Sequence, residues 1–481
     1  MKEKFYITTP IYYASGAPHI GHAFNLIYAD IIARSQKSKG KSVFFSAGLD
    51  EHGSKVEEKA VLENKPPQEF VDEIAEKYID CWKKLNIEYD GFIRTTSEEH
   101  KKGVYYFFEK LKNAGAIYEG IYEGLYCVGC ENFITEKNLI NGLCPDHKQL
   151  PQKLKEKNYF FALQKYLPTV KEKILNNEIN IFPKSRRREI ISIIENGISD
   201  FSLSREKVKW GIPFPDAQNQ TIYVWTEALV NYLTVLDYPD GENFKKFWPA
   251  DLHFVGADIN KFHSIFWPAM LLAADLPLPK NIFAHGLFTI NNQKMAKTLG
   301  NAIYPIDLIN QFGVDGARYL LVSQFSAEEH GDIKKSAFKN KYNSDLANGI
   351  GNLFERTLTL IKNAGGVKKT AIDLSIKSAI EKETNNYRLN MENFKLFKAL
   401  ENIFSLIRES DKYINAQKPW SLEKGEELNK ILFTVFETLK EIAISLEPFM
   451  PEKIKIAKNR LWEIENGIIK EEKLNLFPRI K

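Results

Sequence analysis

The sequence predicts an α/β fold in which a parallel sheet is split by an insert and followed by an α-helical bundle. Short apolar runs alternate with helical periodicity over residues 1–115 and again over 209–300. A stretch containing cysteines, residues 116–208, separates these two parts. From about residue 342 to 481 the pattern is helical throughout, with no further strand evident. Residues 301–341 then form a linking segment.

Composition limits the classes of protein that fit the chain. A length of 481 residues predicts several domains, and 44% hydrophobic and 27% charged residues are ordinary for a globular protein. The net charge of +4 is too small to indicate a nucleic-acid partner. RNA contacts would therefore come from basic patches such as 184–188, which could equally be a solvated surface. No apolar run reaches membrane-spanning length and no apolar signal core opens the chain, so we expect no membrane partner and a cytoplasmic location.

The individual elements follow from periodicity. Phe5–Thr8 is predicted as the first strand, residues 21–39 as a helix and Val43–Ser46 as the second strand. Asp50 falls just past the end of that second strand. Further strands are expected at the following positions: Tyr223–Trp225, His253–Gly256 and Ile282–His285. Because open parallel sheets bind ligands beyond the carboxyl ends of their strands, a site is expected at that edge.

Paired histidines and paired lysines indicate an anion site. His19 and His22 fall three apart at the start of the first helix, where both imidazoles face one side and the helix dipole favours anions. Gly21 between them allows close approach to adenine or ribose. Lys294 and Lys297 lie in a polar loop, which suits a charge that arrives with the transition state. Either pair alone could be an incidental surface feature.

These two motifs, residues 19–22 (HIGH) and 294–298 (KMAKT), resemble the ATP-handling signatures of class I aminoacyl-tRNA synthetases. The second motif departs from the usual pattern, since Ala296 and Thr298 replace serines. Both lysines are kept. The resemblance implies adenylate formation, in which positioning and charge stabilisation supply the catalysis.

Four longer segments resemble the methionyl-tRNA synthetase family, and the resemblance runs over essentially the whole chain. They are residues 8–22 (TTPIYYASGAPHIGH), 48–53 (GLDEHG), 223–227 (YVWTE) and 262–270 (FHSIFWPAM). The resemblance implies a methionine pocket of the following residues: Ile11, Tyr13, Asp50, Trp225, Ala228, Tyr232, Ile259, His263 and Trp267. An aspartate suits the substrate ammonium, and aromatic walls suit a thioether. Taken singly, each aromatic could be plain core, and Leu49 departs from the residue usual before Asp50. Gly256 and Asp258 would contact the nucleotide ribose.

The insert carries a metal-ligand pattern. Cys127, Cys130, Cys144 and His147 give Cys-x2-Cys-x13-Cys-x2-His, the spacing of a tetrahedral structural zinc knuckle. Cys81 stands apart in a helical stretch. We therefore expect one structural zinc ion per chain, without a catalytic role.

In the helical region, the resemblance implies that Asn352, Arg356 and Trp420 read the anticodon of tRNA. An aromatic plate with an Arg/Asn pair suits splayed single-stranded bases. The sequence ends soon after the bundle, at Lys481. We therefore expect no appended tRNA-binding module, and a monomer.

The sequence therefore predicts a split Rossmann-type domain, a zinc-containing insert and a helical bundle. The resemblance implies that the bundle binds the anticodon and that the chain is a methionine–tRNA ligase that uses ATP with Mg²⁺, L-methionine and tRNA(Met). Three alternatives stay open. They are a class I synthetase for another apolar amino acid, a non-catalytic zinc- and RNA-binding relative, and a small-molecule nucleotidyltransferase.

Overall fold

A computed structural model describes residues 2–127, 132–134, 136, 139–145, 148–293 and 301–481. The chain divides into two compact units. Unit 1 consists of Met1–Pro18, Gln36–Trp82 and Glu88–His285. Unit 2 consists of His19–Ser35, Lys83–Ile87 and Gly286–Lys481.

The strands of the described residues are numbered in chain order. They are β1 (Lys4–Thr8), β2 (Tyr12–Tyr13), β3 (Ser42–Asp50), β4 (Gly91–Arg94), β5 (Ile117–Cys127), β6 (Asn132–Ile134), β7 (Gln152–Phe161), β8 (Asn180–Phe182), β9 (Phe201–Ser202), β10 (Ser204–Arg205), β11 (Pro213–Phe214), β12 (Ala217–Ile222), β13 (Leu252–Gly256), β14 (Asn281–His285), β15 (Phe288–Ile290) and β16 (Gly331–Ile333).

The helices are numbered in the same way. They are α1 (Ile20–Ser38), α2 (Ser54–Leu62), α3 (Pro67–Lys84), α4 (Glu98–Asn113), α5 (Leu163–Leu175), α6 (Lys184–Glu195), α7 (Val224–Leu229), α8 (Asn231–Thr234), α9 (Glu242–Phe247), α10 (Trp267–Ala273), α11 (Pro305–Val322), α12 (Ala337–Lys341), α13 (Asn352–Ala364), α14 (Leu374–Glu392), α15 (Leu396–Gln417), α16 (Glu426–Leu446) and α17 (Pro451–Glu465).

A parallel sheet forms the centre of unit 1. Its strand order is β2-β3-β1-β13-β14-β8, with β4 also paired to β3. Neighbouring strands run parallel, as in the pairing of Thr8 with Ser46 on one side and with His253 on the other. This order brings the ends of β3, β1 and β13 to one edge, where open parallel sheets carry their sites. The predicted α/β class and its parallel sheet are confirmed.

Four of the five predicted strands are present, and one prediction is wrong. β1, β3, β13 and β14 cover the predicted runs, and β3 extends far enough to include Asp50. The run Tyr223–Trp225 is not a strand, because β12 ends at Ile222 and helix α7 begins at Val224. A short apolar run fits a buried strand and a buried helix equally well. Nearly every side chain of α7 is buried, which removes the polar face that would have revealed the helix.

The predicted insert contributes a separate antiparallel sheet in the order β6-β5-β7-β9. β5 and β7 pair over ten residues, from Ile117 opposite Phe161 to Tyr126 opposite Gln152. Strand β8 also comes from the predicted insert, but it belongs to the parallel sheet, where it pairs with β14. Within the basic patch at the start of α6, Arg187 donates to the carbonyls of Ile174 and Leu175 and so caps the end of α5.

Among its described residues, unit 2 is helical apart from the β15–β16 pair. Residues 342–481 are all described and contain no strand, as predicted. The predicted first helix is also confirmed, since α1 spans Ile20–Ser38. Its Asp30 carboxylate accepts from the buried Arg318 guanidinium of α11 at 2.6 Å. None of the described helices is both apolar enough and long enough to span a bilayer.

Candidate active site

The pocket predicted for the amino acid begins at the end of β3. Tyr13 of β2 lies in register with Asp50, and the Ala14 amide donates to the Asp50 carbonyl at 2.8 Å. Asp50 is buried. Gly48 keeps this strand close to its neighbours, because a Cβ there would lie 2.8 Å from Ile11 Cγ2 and 2.4 Å from the Ile93 carbonyl oxygen. The β2–β3 side of the sheet thus carries three of the predicted pocket residues: Ile11, Tyr13 and Asp50.

Helix α7 contributes Trp225 and the buried Ala228. The Trp225 ring lies edge-on to Tyr13, with 6.0 Å between ring centroids. It also stacks on Phe262, with 4.3 Å between ring centroids. Within the described part of the chain, the buried Trp225 Nε1 has no hydrogen-bond acceptor.

His263 lies in a π-helical turn, Phe262–Phe266, that leads into α10. Its Nδ1 donates to the Ile259 carbonyl at 3.0 Å, and its Nε2 lies 2.7 Å from the Tyr232 hydroxyl. With the proton on Nδ1, Nε2 is the acceptor and Tyr232 the donor. Burial lowers the pKa of His263 to about 4, although its bond to Ile259 acts in the opposite direction. The imidazole is therefore neutral at neutral pH.

Trp267 completes the aromatic wall. It is fully buried, and its ring centroid lies 6.1 Å from that of Tyr232. Phe107 and Trp248 pack on it at 5.8 Å and 6.2 Å. The structure thus gathers the aromatic members of the predicted pocket within unit 1.

Sequence reasoning missed two members of this cluster. His253 of β13 lies 4.5 Å from the Tyr232 ring, and its Nδ1 is 2.6 Å from Thr8 Oγ1. Burial, followed by the nearby His263, lowers its pKa well below the ordinary value. The second missed residue is Phe262, which stacks on Trp225. His253 could have been singled out because it is a histidine within an otherwise apolar strand.

The predicted nucleotide contacts in unit 1 lie at the adjacent strand end. Gly256 is the last residue of β13 and pairs with His285 of β14. Asp258 follows in a 3₁₀ turn, Ala257–Ile259. Both positions are at the carboxyl edge of the sheet, as predicted.

In unit 2, His19 and His22 lie side by side at the start of α1. Their rings stack with centroids 3.7 Å apart. The Gly21 amide donates to His19 Nδ1 at 3.0 Å, and the His19 amide donates to His22 Nδ1 at 3.4 Å. Because both Nδ1 atoms accept, each neutral ring carries its proton on Nε2. Two Nε2–H donors beside a helix amino terminus suit an anion.

The predicted lysines Lys294 and Lys297 lie outside the described residues. The structure describes the turn before them, in which Asn291 and Asn292 both have positive φ, 51° and 60°. Ile290 and Gln293 close this turn with reciprocal amide–carbonyl bonds of 2.8 and 3.1 Å. This is the geometry of a tight two-residue hairpin, and asparagine tolerates it.

Two of the four predicted zinc ligands are described. Cys127 ends β5 and Cys144 follows a short hairpin, and both cysteines are buried. Cys144 is buried although its neighbours Asn141, Gly142 and Pro145 are exposed. Cys130 and His147 lie outside the described residues. Buried thiols in a surface segment fit a donor set that closes around a metal ion.

The three residues predicted to read RNA lie on neighbouring parts of unit 2. Asn352 and Arg356 occupy one face of α13, as predicted. The Arg356 guanidinium lies 4.9 Å from the ring centroid of Trp420, which is 55% exposed. Arg356 also donates to Asn415 Oδ1 at 2.7 Å. An exposed indole with a guanidinium against it is a surface on which a base can stack.

Comparison with known proteins defines the class. The sequence model of the family "tRNA synthetases class I (M)" matches residues 5–155 and 147–358. A parallel sheet with a helix-start histidine pair, followed by a helical region, agrees with that match. The chain therefore belongs to the class I aminoacyl-tRNA synthetases.

The particular family follows from the relatives. "Methionine--tRNA ligase" of Rickettsia felis is 42% identical, with 98% of this chain and 94% of the relative covered. That of Thermotoga maritima is also 42% identical, with 93% and 74% covered. Mycobacterium tuberculosis methionyl-tRNA synthetase, solved in complex with methionyl-adenylate, superposes with a TM-score of 0.93 at 32% identity, over 99% of this chain and 100% of that chain. This chain belongs to the methionyl-tRNA synthetases.

Proposed function

We propose that this chain couples methionine to tRNA in two steps. In the first, a carboxylate oxygen of methionine attacks the α-phosphorus of ATP, and the bond to the departing pyrophosphate breaks. In the second, the 2′-hydroxyl of the terminal adenosine of tRNA(Met) attacks the adenylate carbonyl and AMP leaves. The observation that carries this proposal is the buried aromatic cluster beside Asp50, in a chain whose relatives are methionine–tRNA ligases.

The pocket residues divide between charge and shape. Asp50 supplies the carboxylate for the methionine ammonium. Trp225, Tyr232 and Trp267 supply polarizable walls for the thioether. The hydrogen bonds of His263 to Tyr232 and Ile259 fix the remaining side of the pocket without adding a charge. Such a pocket suits a long, neutral and soft side chain.

The histidines and lysines bind the phosphates of ATP. The Nε2–H groups of His19 and His22 donate to phosphate oxygens, and the α1 amino terminus adds its dipole. Lys294 and Lys297 neutralise charge as pyrophosphate departs. Gly256 and Asp258 contact the ribose. Gly21 allows close backbone approach of adenine or ribose. When bound with ATP, Mg²⁺ would supply further positive charge to the phosphates.

The tRNA is read in unit 2. Trp420 stacks on an anticodon base, and Asn352 and Arg356 hydrogen-bond to base edges.

We propose that the chain acts as a monomer in the cytoplasm, where reducing conditions keep the zinc-binding cysteines from forming disulfides.

The zinc ion is the remaining cofactor of the proposal. Cys127, Cys130, Cys144 and His147 would hold one ion in a closed tetrahedral set. The buried thiols of Cys127 and Cys144 support this assignment. Bound zinc would supply a structural cross-link, since four protein ligands leave no position for a reacting water.

Amino-acid-dependent ATP–pyrophosphate exchange tests the proposal. We expect methionine to stimulate exchange by the purified chain, and leucine and isoleucine not to do so. Stimulation by leucine or isoleucine alone would show a synthetase for another apolar amino acid. No exchange with any amino acid, together with tight tRNA binding, would show a non-catalytic relative.

A further inference from the structure

A buried acidic residue lies between two histidines on the helix that carries two of the predicted pocket residues. Glu227 of α7 is fully buried, and it follows Trp225 and precedes Ala228 on that helix. Its Oε1 is 2.8 Å from His52 Nδ1, and its Oε2 is 2.8 Å from His100 Nε2. His100 Nδ1 in turn lies 2.9 Å from Thr234 Oγ1. None of these groups has a role in the proposed chemistry.

Glu227 is a carboxylate in this setting. Burial raises its pKa, but the charges of His52 and His100 and their hydrogen bonds outweigh burial, so the pKa lies below the ordinary value. A carboxylate only accepts hydrogen bonds. His52 and His100 therefore both donate to it, and the group connects three separate segments of unit 1.

The His52 bond holds the segment that carries Asp50. Asp50 is the last residue of β3, and residues 51–53 after it have no regular structure. Glu51 is tied to Arg94 at 2.6 Å and to Thr96, and its carbonyl accepts from Trp210 Nε1 at 2.6 Å. Those bonds attach the segment to β4, to the residues after it and to Trp210. The bond from His52 attaches it to α7, the helix of Trp225 and Ala228.

We propose that Glu227 is a positioning residue for methionine, which through His52 sets the place of the Asp50 carboxylate relative to Trp225 and Ala228. This inference rests on the proposed role of Asp50 as the ammonium partner. A methionine whose ammonium binds one wall and whose side chain binds the other needs both walls at a fixed separation. Loss of the link then weakens methionine binding and leaves ATP binding unchanged.

Glu227→Gln is the primary test, because it keeps the shape and removes the charge. Glutamine has an acceptor oxygen at only one of the two positions where the imidazoles now donate, and its amide nitrogen is a donor. In ATP–pyrophosphate exchange we expect the KM for methionine to rise roughly tenfold, the effect of one disrupted buried hydrogen bond. The KM for ATP should stay within about twofold. An unchanged KM for methionine, or equal rises for both substrates, would overturn the proposal.

Thr234→Val is the matched control. Valine has the shape of threonine, and the change removes the bond at the far end of the same cluster while leaving the His52–Glu227 bond in place. We expect a lower melting temperature and a methionine KM within about twofold of the parent. If Thr234→Val raised the methionine KM as much as Glu227→Gln does, the rise would reflect a general destabilisation of unit 1, and the proposal would be wrong.

Two histidine variants decide the matter should Glu227→Gln not fold. His52→Asn keeps an N–H donor near the Nδ1 position, whereas His52→Ala removes it. We expect His52→Ala to raise the methionine KM, and His52→Asn to have a methionine KM close to that of the parent. Equal methionine KM values in the two variants would contradict the proposal.

Asp50→Asn tests the role of Asp50 separately from that of Glu227. If it leaves the methionine KM unchanged, the role of Asp50 fails, whatever Glu227 does.

Discussion

At the scale of single residues, the pocket depends on histidines that are buried as neutral rings. His263 and His253 are both enclosed, and their centroids are 6.1 Å apart. A proton on either ring would place an uncompensated charge among aromatic side chains. Their lowered pKa values therefore connect the pocket directly to the stability of unit 1.

This connection predicts a pH dependence of stability. Because the pKa of His263 falls from 6.5 to about 4 on folding, its contribution is complete above pH 6.5 and is lost as the pH falls towards 4. The loss amounts to about 3 kcal/mol at most. Urea unfolding at pH 7 and pH 5 should show a smaller decline for His263→Gln than for the parent chain. Equal declines would show that His263 is not buried as a neutral ring.

The residues of the pocket could be predicted only in part. Trp225, Tyr232 and Trp267 were predicted as pocket residues from the family resemblance, since periodicity alone does not separate a pocket aromatic from a core aromatic. His253 was missed because its partner Thr8 is 245 positions away in sequence. Glu227 was missed for the same reason, with His52 and His100 at separations of 175 and 127. Contacts of that range follow from topology rather than from local pattern.

At the scale of elements, helix α1 is held in unit 2 by a buried ion pair. Arg318 donates to Asp30 and to the carbonyls of four further residues: Leu85, Asn86, Pro448 and Phe449. The guanidinium satisfies all of them at once, because its donors form a planar fork. Helix α1, which begins at Ile20, is thereby fixed to α11 and to the segment after α16.

Replacement of this arginine should cost far more than the loss of a surface pair. Arg318→Leu leaves Asp30 without its buried partner, although Arg34 still contacts that carboxylate. We expect a loss of about 3 kcal/mol or more in urea denaturation followed by helical circular dichroism. Lys412→Ala, which breaks the exposed pair with Glu409, should cost less than about 0.5 kcal/mol. Similar losses would contradict a buried role for Arg318.

The zinc knuckle is the second prediction at this scale. Metal analysis of the purified chain should find one zinc ion per chain, and Cys127→Ser or Cys144→Ser should abolish it, because serine is a poor zinc ligand. Cys81→Ser is the control; Cys81 lies on α3 and should be dispensable for the metal. Full zinc content in Cys144→Ser would exclude the proposed ligand set.

Element boundaries were predicted well where periodicity is long and poorly where it is short. α1 has nineteen residues and a Gly40 stop, and its predicted limits differ by one residue at each end. α7 has six residues, and it was predicted to be a strand. A six-residue run completes fewer than two helical turns, so no period could be measured.

At the scale of the whole molecule, the sequence could predict two kinds of architecture but not the order of strands. The parallel sheet places β1 between β3 and β13, and these last two are separated by about 200 residues of chain. β8, from within the predicted insert, pairs at the end of the same sheet. Such crossovers depend on which faces can be buried together, and three-residue strands such as β8 carry little local signal.

If tRNA recognition and methionine activation use different residues, a change at the tRNA-reading surface should affect aminoacylation and not activation. Trp420→Ala should lower kcat/KM for aminoacylation of tRNA by roughly 5- to 150-fold, the range of one lost base stack. Methionine-dependent pyrophosphate exchange should be unaffected, because no tRNA takes part. Trp462→Ala, at a tryptophan of similar exposure on α17, is the matched control and should change neither rate. Equal losses in the two variants would remove the case for Trp420.

The identity of the amino acid placed on tRNA tests the account most directly. The purified chain would be incubated with ATP, tRNA(Met) and an equimolar mixture of the twenty amino acids, and the ester on the terminal adenosine identified by mass spectrometry. The account predicts methionine and no other amino acid. Another amino acid on the tRNA, or no ester at all from a folded chain, would contradict it.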